Sequence, residues 1–125
     1  AMRRSELLAI CSSDIEWDCR HLNILEAKNG KSRTVPLTLK AAGILAQYNQ
    51  STHCFMIAPD SVSQAFRRAV KAEAISGLTF HDLRHEAITR LFERGLSIPQ
   101  VAGISGHNDY RMLARYTHLH PVELE

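Results

Sequence analysis

Membrane-length apolar runs, secretory leaders, paired cysteines and a strong net charge are all missing from this chain of 125 residues, and each absence narrows what it can do. No hydrophobic stretch approaches the roughly 20 residues that span a bilayer, and no leader pattern opens the sequence. The expectation is a soluble, cytoplasmic protein with no membrane partner. Cysteine is scarce and odd in number (Cys11, Cys19, Cys54), without a CxxC pair, which excludes a disulfide framework and reads as reduced thiols. Cys19 and His21 make too few ligands for a structural zinc site, so no metal is expected. Fifteen Lys and Arg against thirteen Asp and Glu leave a formal charge of only +2. Composition therefore permits nucleic acid as a partner only if the acidic residues lie on another face. Repeats, linkers and low-complexity segments are absent too. A hydrophobic fraction of 45% suffices for one core, so residues 1–125 read as a single domain. Ala1-Met2-Arg3 reads as starting inside a helix, with no cap before Ser5, and Leu124-Glu125 reads equally as a vector remnant.

What is present divides into a small β region and a helical remainder. Residues 1–11 read as the second half of an amphipathic helix, with Leu7, Leu8 and Cys11 on one face. Asp14 to Asp18 alternates like a short strand. Residues 21–28 and 31–37 flank Asn29-Gly30, whose preference for positive φ predicts a two-residue type I′ hairpin. Thr38 is positioned to cap a helix over 39–50. A short apolar piece, Cys54 to Ala58, precedes Pro59-Asp60, after which Val62, Phe66, Ala69 and Val70 recur at helical spacing. Thr79-Phe80-His81-Asp82 resembles a capping box opening a helix that runs to Gly95 and buries Leu83, Ala87, Ile88 and Leu91. Ser97-Ile98-Pro99-Gln100 opens the next in the same way, ending near Gly106. A last helix from about Asn108 carries Tyr110, Leu113 and Tyr116. The predicted class is α+β, mainly helical, with one small antiparallel sheet.

Several chemically capable side chains are scattered along this frame. His81 and Arg84, three apart at a helix start, should share a face, and the helix N-terminus favours a phosphate there. His107 follows Gly106, a residue suited to a C-cap or to close backbone approach. Tyr116 lies nine positions further on. A guanidinium grips phosphate oxygens bidentately, an imidazole moves protons, and a tyrosine hydroxyl can attack phosphorus. Taken singly, each has a blander reading: a capping histidine, a surface arginine, a loop histidine, a half-buried aromatic. Lys28 beside the turn is by itself a solvated edge lysine.

Their combination and order resemble one family. Arg3-Arg4-Ser5-Glu6, Lys28 followed by Lys31 to Leu37, His81-Asp82-Leu83-Arg84-His85, Gly106-His107 and Arg115-Tyr116-Thr117-His118 look like the tyrosine recombinases, or phage-type integrases. The resemblance covers essentially the whole chain. It implies the catalytic-domain fold of that family, here without the N-terminal DNA-binding domain and the first catalytic-domain helices. It also implies cleavage and rejoining of DNA strands through a 3′-phosphotyrosyl intermediate, of the kind that moves mobile elements. Arg3 and Arg84 would clamp the scissile phosphate with His107, and Tyr116 would attack it. Lys28 would protonate the leaving 5′ oxygen, His81 would assist proton transfer, and Glu6 would orient Arg3. Arg3 rather than Arg4 is the match, because the family's arginine stands two before the serine. The partners implied are double-stranded DNA and, in the full-length protein, a tetramer of like subunits. No nucleotide cofactor is implied, because the tyrosyl ester retains the energy of the phosphodiester. A free tyrosine has a pKa near ~10, so neighbouring cations must favour the phenolate as it forms. Two small departures are Ala1 and Ser105, where the family usually has glycine and often leucine.

Other classes stay open on sequence. Ser97 to Tyr116 can be read as a helix-turn-helix of a regulator without catalysis, with Arg111 and Arg115 on the recognition helix. That reading leaves Arg3, Lys28, His81 and Arg84 unexplained. A type IB topoisomerase would use the same residues but reseal within one duplex, and an inactive integrase remnant would keep them without chemistry.

Overall fold

Residues 1–25, 31–49 and 51–116 are described by a computed structural model of the chain. Helix α1 (Arg4–Leu8) leads through a 3₁₀ turn (Ser12–Asp14) to strand β1 (Ile15–Glu16). Strands β2 (His21–Leu25) and β3 (Ser32–Pro36) complete an antiparallel sheet in the order β1-β2-β3. Five helices follow: α2 (Leu39–Gln47), α3 (Pro59–Ala72), α4 (Asp82–Glu93), α5 (Ile98–Ser105) and α6 (Arg111–Ala114). The α+β class with one small sheet is as the sequence predicts.

The first helix is shorter than expected and properly capped. Arg3 is its N-cap, and the Glu6 carboxylate accepts the Arg3 backbone N–H at 3.0 Å, covering an amide that the helix leaves free. Cys11 lies outside it, bridged to His53. The β1 strand is likewise cut to two residues, because Ser12–Asp14 turns instead.

The strands flanking the expected turn pair two residues away from the simplest register. A two-residue turn on Asn29-Gly30, continued without a bulge, would set Leu25 opposite Thr34. Instead Leu25 faces Ser32 and Ile24 faces Arg33. The turn itself, with Lys28, lies outside the described residues. A shift of two keeps every side chain on its face, so the apolar alternation of Leu22, Ile24 and Val35 could not choose between the registers. The selected register has Arg33 on the strand that packs against α5. There its guanidinium meets Glu6 and the Ile104 carbonyl.

Two apolar clusters form, and α5 is the wall between them. Ile10, Ile15, Leu22, Ile24, Val35, Leu45 and Cys54 pack under the sheet, with Ile104 against them. Ile88, Phe92, Val101, Ala102, Leu113 and Tyr116 form the helical core. Capping holds α5 in place: Ser97 Oγ accepts from Gln100 N, Gln100 Oε1 accepts from Ser97 N, and Gly106 ends the helix at φ 78°. That left-handed conformation is cheap only for glycine, and it turns His107 back toward α4. Thr38 caps α2 as read, its hydroxyl accepting from Ala41 N.

Helix α4 buries Ile88 as expected, with Leu91 packed against the same core, but not Leu83. Leu83 is 45% exposed, while Arg84, Ile88 and Phe92, four apart, point inward. Its start differs in detail too: the Asp82 carboxylate accepts both the Thr79 N–H and the Thr79 hydroxyl, so the hydroxyl donates and covers no amide. Helix α3 buries no residue fully. It is held by Arg4, which donates to the Pro59 carbonyl and to Ser63 Oγ, and by Phe66 edge-on to Phe80. Helix α6 is only Arg111–Ala114, shorter than expected, with Leu113 and the following Tyr116 buried and Tyr110 exposed.

Candidate active site

Arg84 lies at the seam between the two cores and is 6% exposed. Its Nη1 donates to the Ala1 carbonyl at 2.7 Å and to the Ser105 carbonyl at 2.9 Å. Its Nη2 stands 3.4 and 3.5 Å from the two ring nitrogens of His107. Among the described residues, no carboxylate hydrogen-bonds it. Burial, opposed in part by Glu6 and assisted by Arg3, lowers its pKa to about 10, so it stays cationic at neutral pH. A buried cation held by neutral carbonyls retains most of its charge for an incoming anion.

His107 is held on its other side by Ser105, whose Oγ is 2.6 Å from Nδ1. Burial and then the charges of Arg84, Arg3, Arg115 and Arg33 push its pKa down to about 4. The resting imidazole is therefore neutral. Four arginines act on one histidine, and Glu6 is a carboxylate within this group.

Glu6 organises the cationic side. Its Oε1 accepts from Arg3 Nη1 and Arg33 Nη1, each at 3.0 Å, and its Oε2 accepts from Arg33 Nη2 at 2.7 Å. Burial resists the charge, but hydrogen bonds from Arg33 and from the Arg3 backbone outweigh it and hold the pKa at about 2. Arg33 also donates to the Ile104 carbonyl at 3.1 Å, tying β3 to the end of α5 three residues before His107. Arg4 points away to α3, whereas Arg3 lies within electrostatic reach of Arg84 and His107.

Tyr116 is 7% exposed, its ring stacked on Phe92 at 6.1 Å between centroids. Its hydroxyl is 2.5 Å from His85 Nδ1 and accepts from Arg115 Nη2 at 3.1 Å. The Arg115 guanidinium also lies 5.0 Å from the ring centroid, a cation–π distance. His81 is exposed, with its ring edge-on to His85 at 4.8 Å; no hydrogen bond joins it to Tyr116. His81 and Arg84 both border one open cleft of about 360 Å³ beside Ala1 and Leu7, but one is exposed and the other buried.

Five of the six expected catalytic side chains thus fall in one neighbourhood: Arg3, His81, Arg84, His107 and Tyr116. Lys28 lies outside the described residues. Sequence reasoning gave no role to Arg33 or His85. Both stand inside the quoted motifs, but ion pairing across 27 positions and hydrogen bonding across 31 leave no periodic signal. Among the described residues, no group of three His, Cys, Asp or Glu is gathered to hold a metal.

Arginines gathered around one buried guanidinium, a neutral histidine and a tyrosine hydroxyl, on a helical domain with a three-stranded sheet, define a class. The model of the Phage integrase family matches residues 1–123, and the chain belongs to that family. The shufflon-specific DNA recombinase of Escherichia coli is 43% identical across 99% of this chain and 33% of its own length. Among solved structures, XerA recombinase superposes with a TM-score of 0.81 at 23% identity, over 96% of this chain and 49% of that one. The catalytic domain of bacteriophage HP1 integrase gives 0.76 at 26% identity, over 96% and 68%. The chain spans about a third of the length of the curated relatives it matches. No helix among the described residues is long and apolar enough to cross a membrane.

Proposed function

We propose that this chain is the catalytic domain of a site-specific DNA recombinase, which cuts and rejoins strands through a 3′-phosphotyrosyl intermediate. The observation that carries it is the cationic pocket. Arg3, Arg33, Arg84 and Arg115 act together on a neutral His107, Glu6 is a carboxylate among them, and a tyrosine hydroxyl stands in the same neighbourhood. Such a pocket favours a phosphodiester and the extra charge of its pentavalent transition state. Arg3, Arg84 and His107 hold the non-bridging oxygens, and Tyr116 attacks phosphorus. Lys28 protonates the departing 5′ oxygen, His81 assists proton movement, and Glu6 positions Arg3. The partner is double-stranded DNA. In the native polypeptide like subunits assemble on it as a tetramer, in the cytoplasm, with no nucleotide cofactor.

The regulator reading loses support from the fold. A four-residue α6 is about 6 Å long by helix rise, too short for a recognition helix, and its Arg111 is paired with Asp109 at 2.9 Å. The test is an adduct assay. The native polypeptide carrying residues 1–125 is incubated with a pool of nicked duplexes of randomised core sequence. The expected result is a denaturation-resistant protein–DNA adduct that Tyr116→Phe abolishes. DNA retention with no adduct from the parent protein would overturn the enzyme reading.

A further inference from the structure

The imidazole of His107 has two nitrogens, and a neutral ring carries a hydrogen on only one of them. Burial and four arginines keep this ring neutral, with a pKa of about 4. Which nitrogen bears the hydrogen therefore decides whether the ring can donate to a phosphate oxygen. Arg84 does not choose between them, since its Nη2 is 3.4 Å from Nδ1 and 3.5 Å from Nε2. Ser105 does distinguish them, because its Oγ lies 2.6 Å from Nδ1. We propose that Ser105 is a positioning residue for strand cleavage: its hydroxyl donates to Nδ1 of His107, fixing the ring and the tautomer whose Nε2–H is offered to a non-bridging oxygen of the scissile phosphate. This rests on the recombinase reading and names a residue that the reading leaves without a role.

The placement follows from the end of α5. Ser105 is the last residue of that helix and is fully buried. Gly106, in the left-handed region at φ 78°, reverses the chain so that the ring of His107 returns to the residue two before it. The Ser105 carbonyl accepts from Arg84 Nη1 at 2.9 Å. One buried residue thus touches both Arg84 and His107, the first through its carbonyl and the second through its hydroxyl.

Two arrangements of hydrogen fit the Ser105–His107 contact, and the chemistry of the ligand selects one. If Nδ1–H donated to Oγ, Nε2 would present a lone pair to the phosphate, and two acceptors would oppose each other. If Oγ–H donates to Nδ1, Nε2 carries the hydrogen on the other side of the ring, where a phosphate oxygen can accept it. Burial reinforces this, because no solvent competes for the Ser105 hydroxyl. No proton is transferred in this role; the serine orients the ring and the ring meets the oxygen. Leucine, often found at this place in the family, has no hydrogen to give to Nδ1.

The test uses the native polypeptide, the nicked duplex pool and four proteins: parent, Tyr116→Phe, Ser105→Ala and, to assign the ring signals, His107→Gln. Alanine removes only Oγ and keeps the carbonyl that Arg84 uses. Adduct formation by Ser105→Ala at saturating DNA is expected to slow by roughly tenfold, the worth of one hydrogen bond withdrawn from a charged transition state. In ¹⁵N-histidine spectra at neutral pH, His107 of the parent should show a protonated Nε2 and an unprotonated, hydrogen-bonded Nδ1. Ser105→Ala should move the Nδ1 signal downfield, to that of a ring nitrogen without a donor. Slowing by less than about twofold, or slowing with the Nδ1 signal unmoved, overturns the proposal and leaves the recombinase reading standing. If the parent forms no adduct, or Tyr116→Phe still forms one, the recombinase reading itself fails and takes this role with it. Should Ser105→Ala fail to fold, the parent's spectrum decides: a hydrogen-bonded, unprotonated Nδ1 upholds the proposal, and a protonated Nδ1 overturns it.

Discussion

Replacing Glu6 by glutamine tests the electrostatic framework of the site without touching the reacting groups. The carboxylate joins Arg33 and Arg3, with side-chain exposures of 11% for Glu6, 10% for Arg33 and 43% for Arg3. The Arg3 limb is exposed enough to contribute little, so most of the energy lies in the Arg33 pair. A pKa held at about 2 against an ordinary 4.5 corresponds to roughly 3 kcal/mol, at ~1.4 kcal/mol per unit. Breaking a buried pair by removing one partner costs about 3–5 kcal/mol, in agreement. The glutamine side chain keeps one acceptor oxygen, so the expected loss at pH 7 is ~2–3 kcal/mol. With a urea slope of about 1.5–2 kcal/mol/M for a domain of this size, the midpoint should fall by roughly 1–2 M.

The pH dependence gives the same change a second signature. A carboxylate with a depressed pKa contributes fully above its unfolded value near 4.5 and loses that contribution as pH falls toward about 2. The parent protein should therefore lose stability across that window, and Glu6→Gln should lack this component. Urea melts of both proteins from pH 7 to pH 2.5 measure the gap, which should close at the acid end. A gap under ~0.5 kcal/mol at pH 7, or one unchanged down to pH 2.5, would refute the assignment of this energy to the Glu6–Arg33 pair.

Further outcomes are expected elsewhere in the molecule. Phe92→Ala removes a 2% exposed ring stacked on Tyr116, so it should cost about 3–5 kcal/mol in urea unfolding. Arg84→Ala should abolish the DNA adduct while destabilising the fold by only ~1–3 kcal/mol, the range for the carbonyls of Ala1 and Ser105 left without a donor; circular dichroism and the adduct assay separate the two effects. Orthovanadate in the arginine pocket should raise the His107 pKa from about 4 toward its ordinary 6.5, because an anion offsets the cations that depress it; an unmoved titration in ¹H–¹⁵N spectra would argue against an anion site. Lys28→Ala should slow cleavage at a normal phosphate and recover on a duplex with a better 5′ leaving group, and failure of that recovery would remove the acid role.

Local chemistry was legible in the sequence wherever neighbours along the chain supply the physics. The caps at Thr38 and Ser97 and the glycine ending α5 at Gly106 depend on hydrogen bonds or dihedrals spanning at most three residues, and all stand as read. The order of Arg3, His81, Arg84, His107 and Tyr116 was likewise visible as motifs. Tertiary packing decided what no local pattern encodes. Arg84 rather than Leu83 faces inward, because carbonyls from residues 1 and 105 converge to solvate a guanidinium there. The hairpin register follows contacts made by Arg33 to Glu6 and Ile104, since a shift of two leaves the apolar alternation unchanged. His85 meets Tyr116 only because α5 brings the end of α6 against α4. Periodicity reports which face of an element is apolar; which charge is buried, and beside whom, is set by groups distant along the chain.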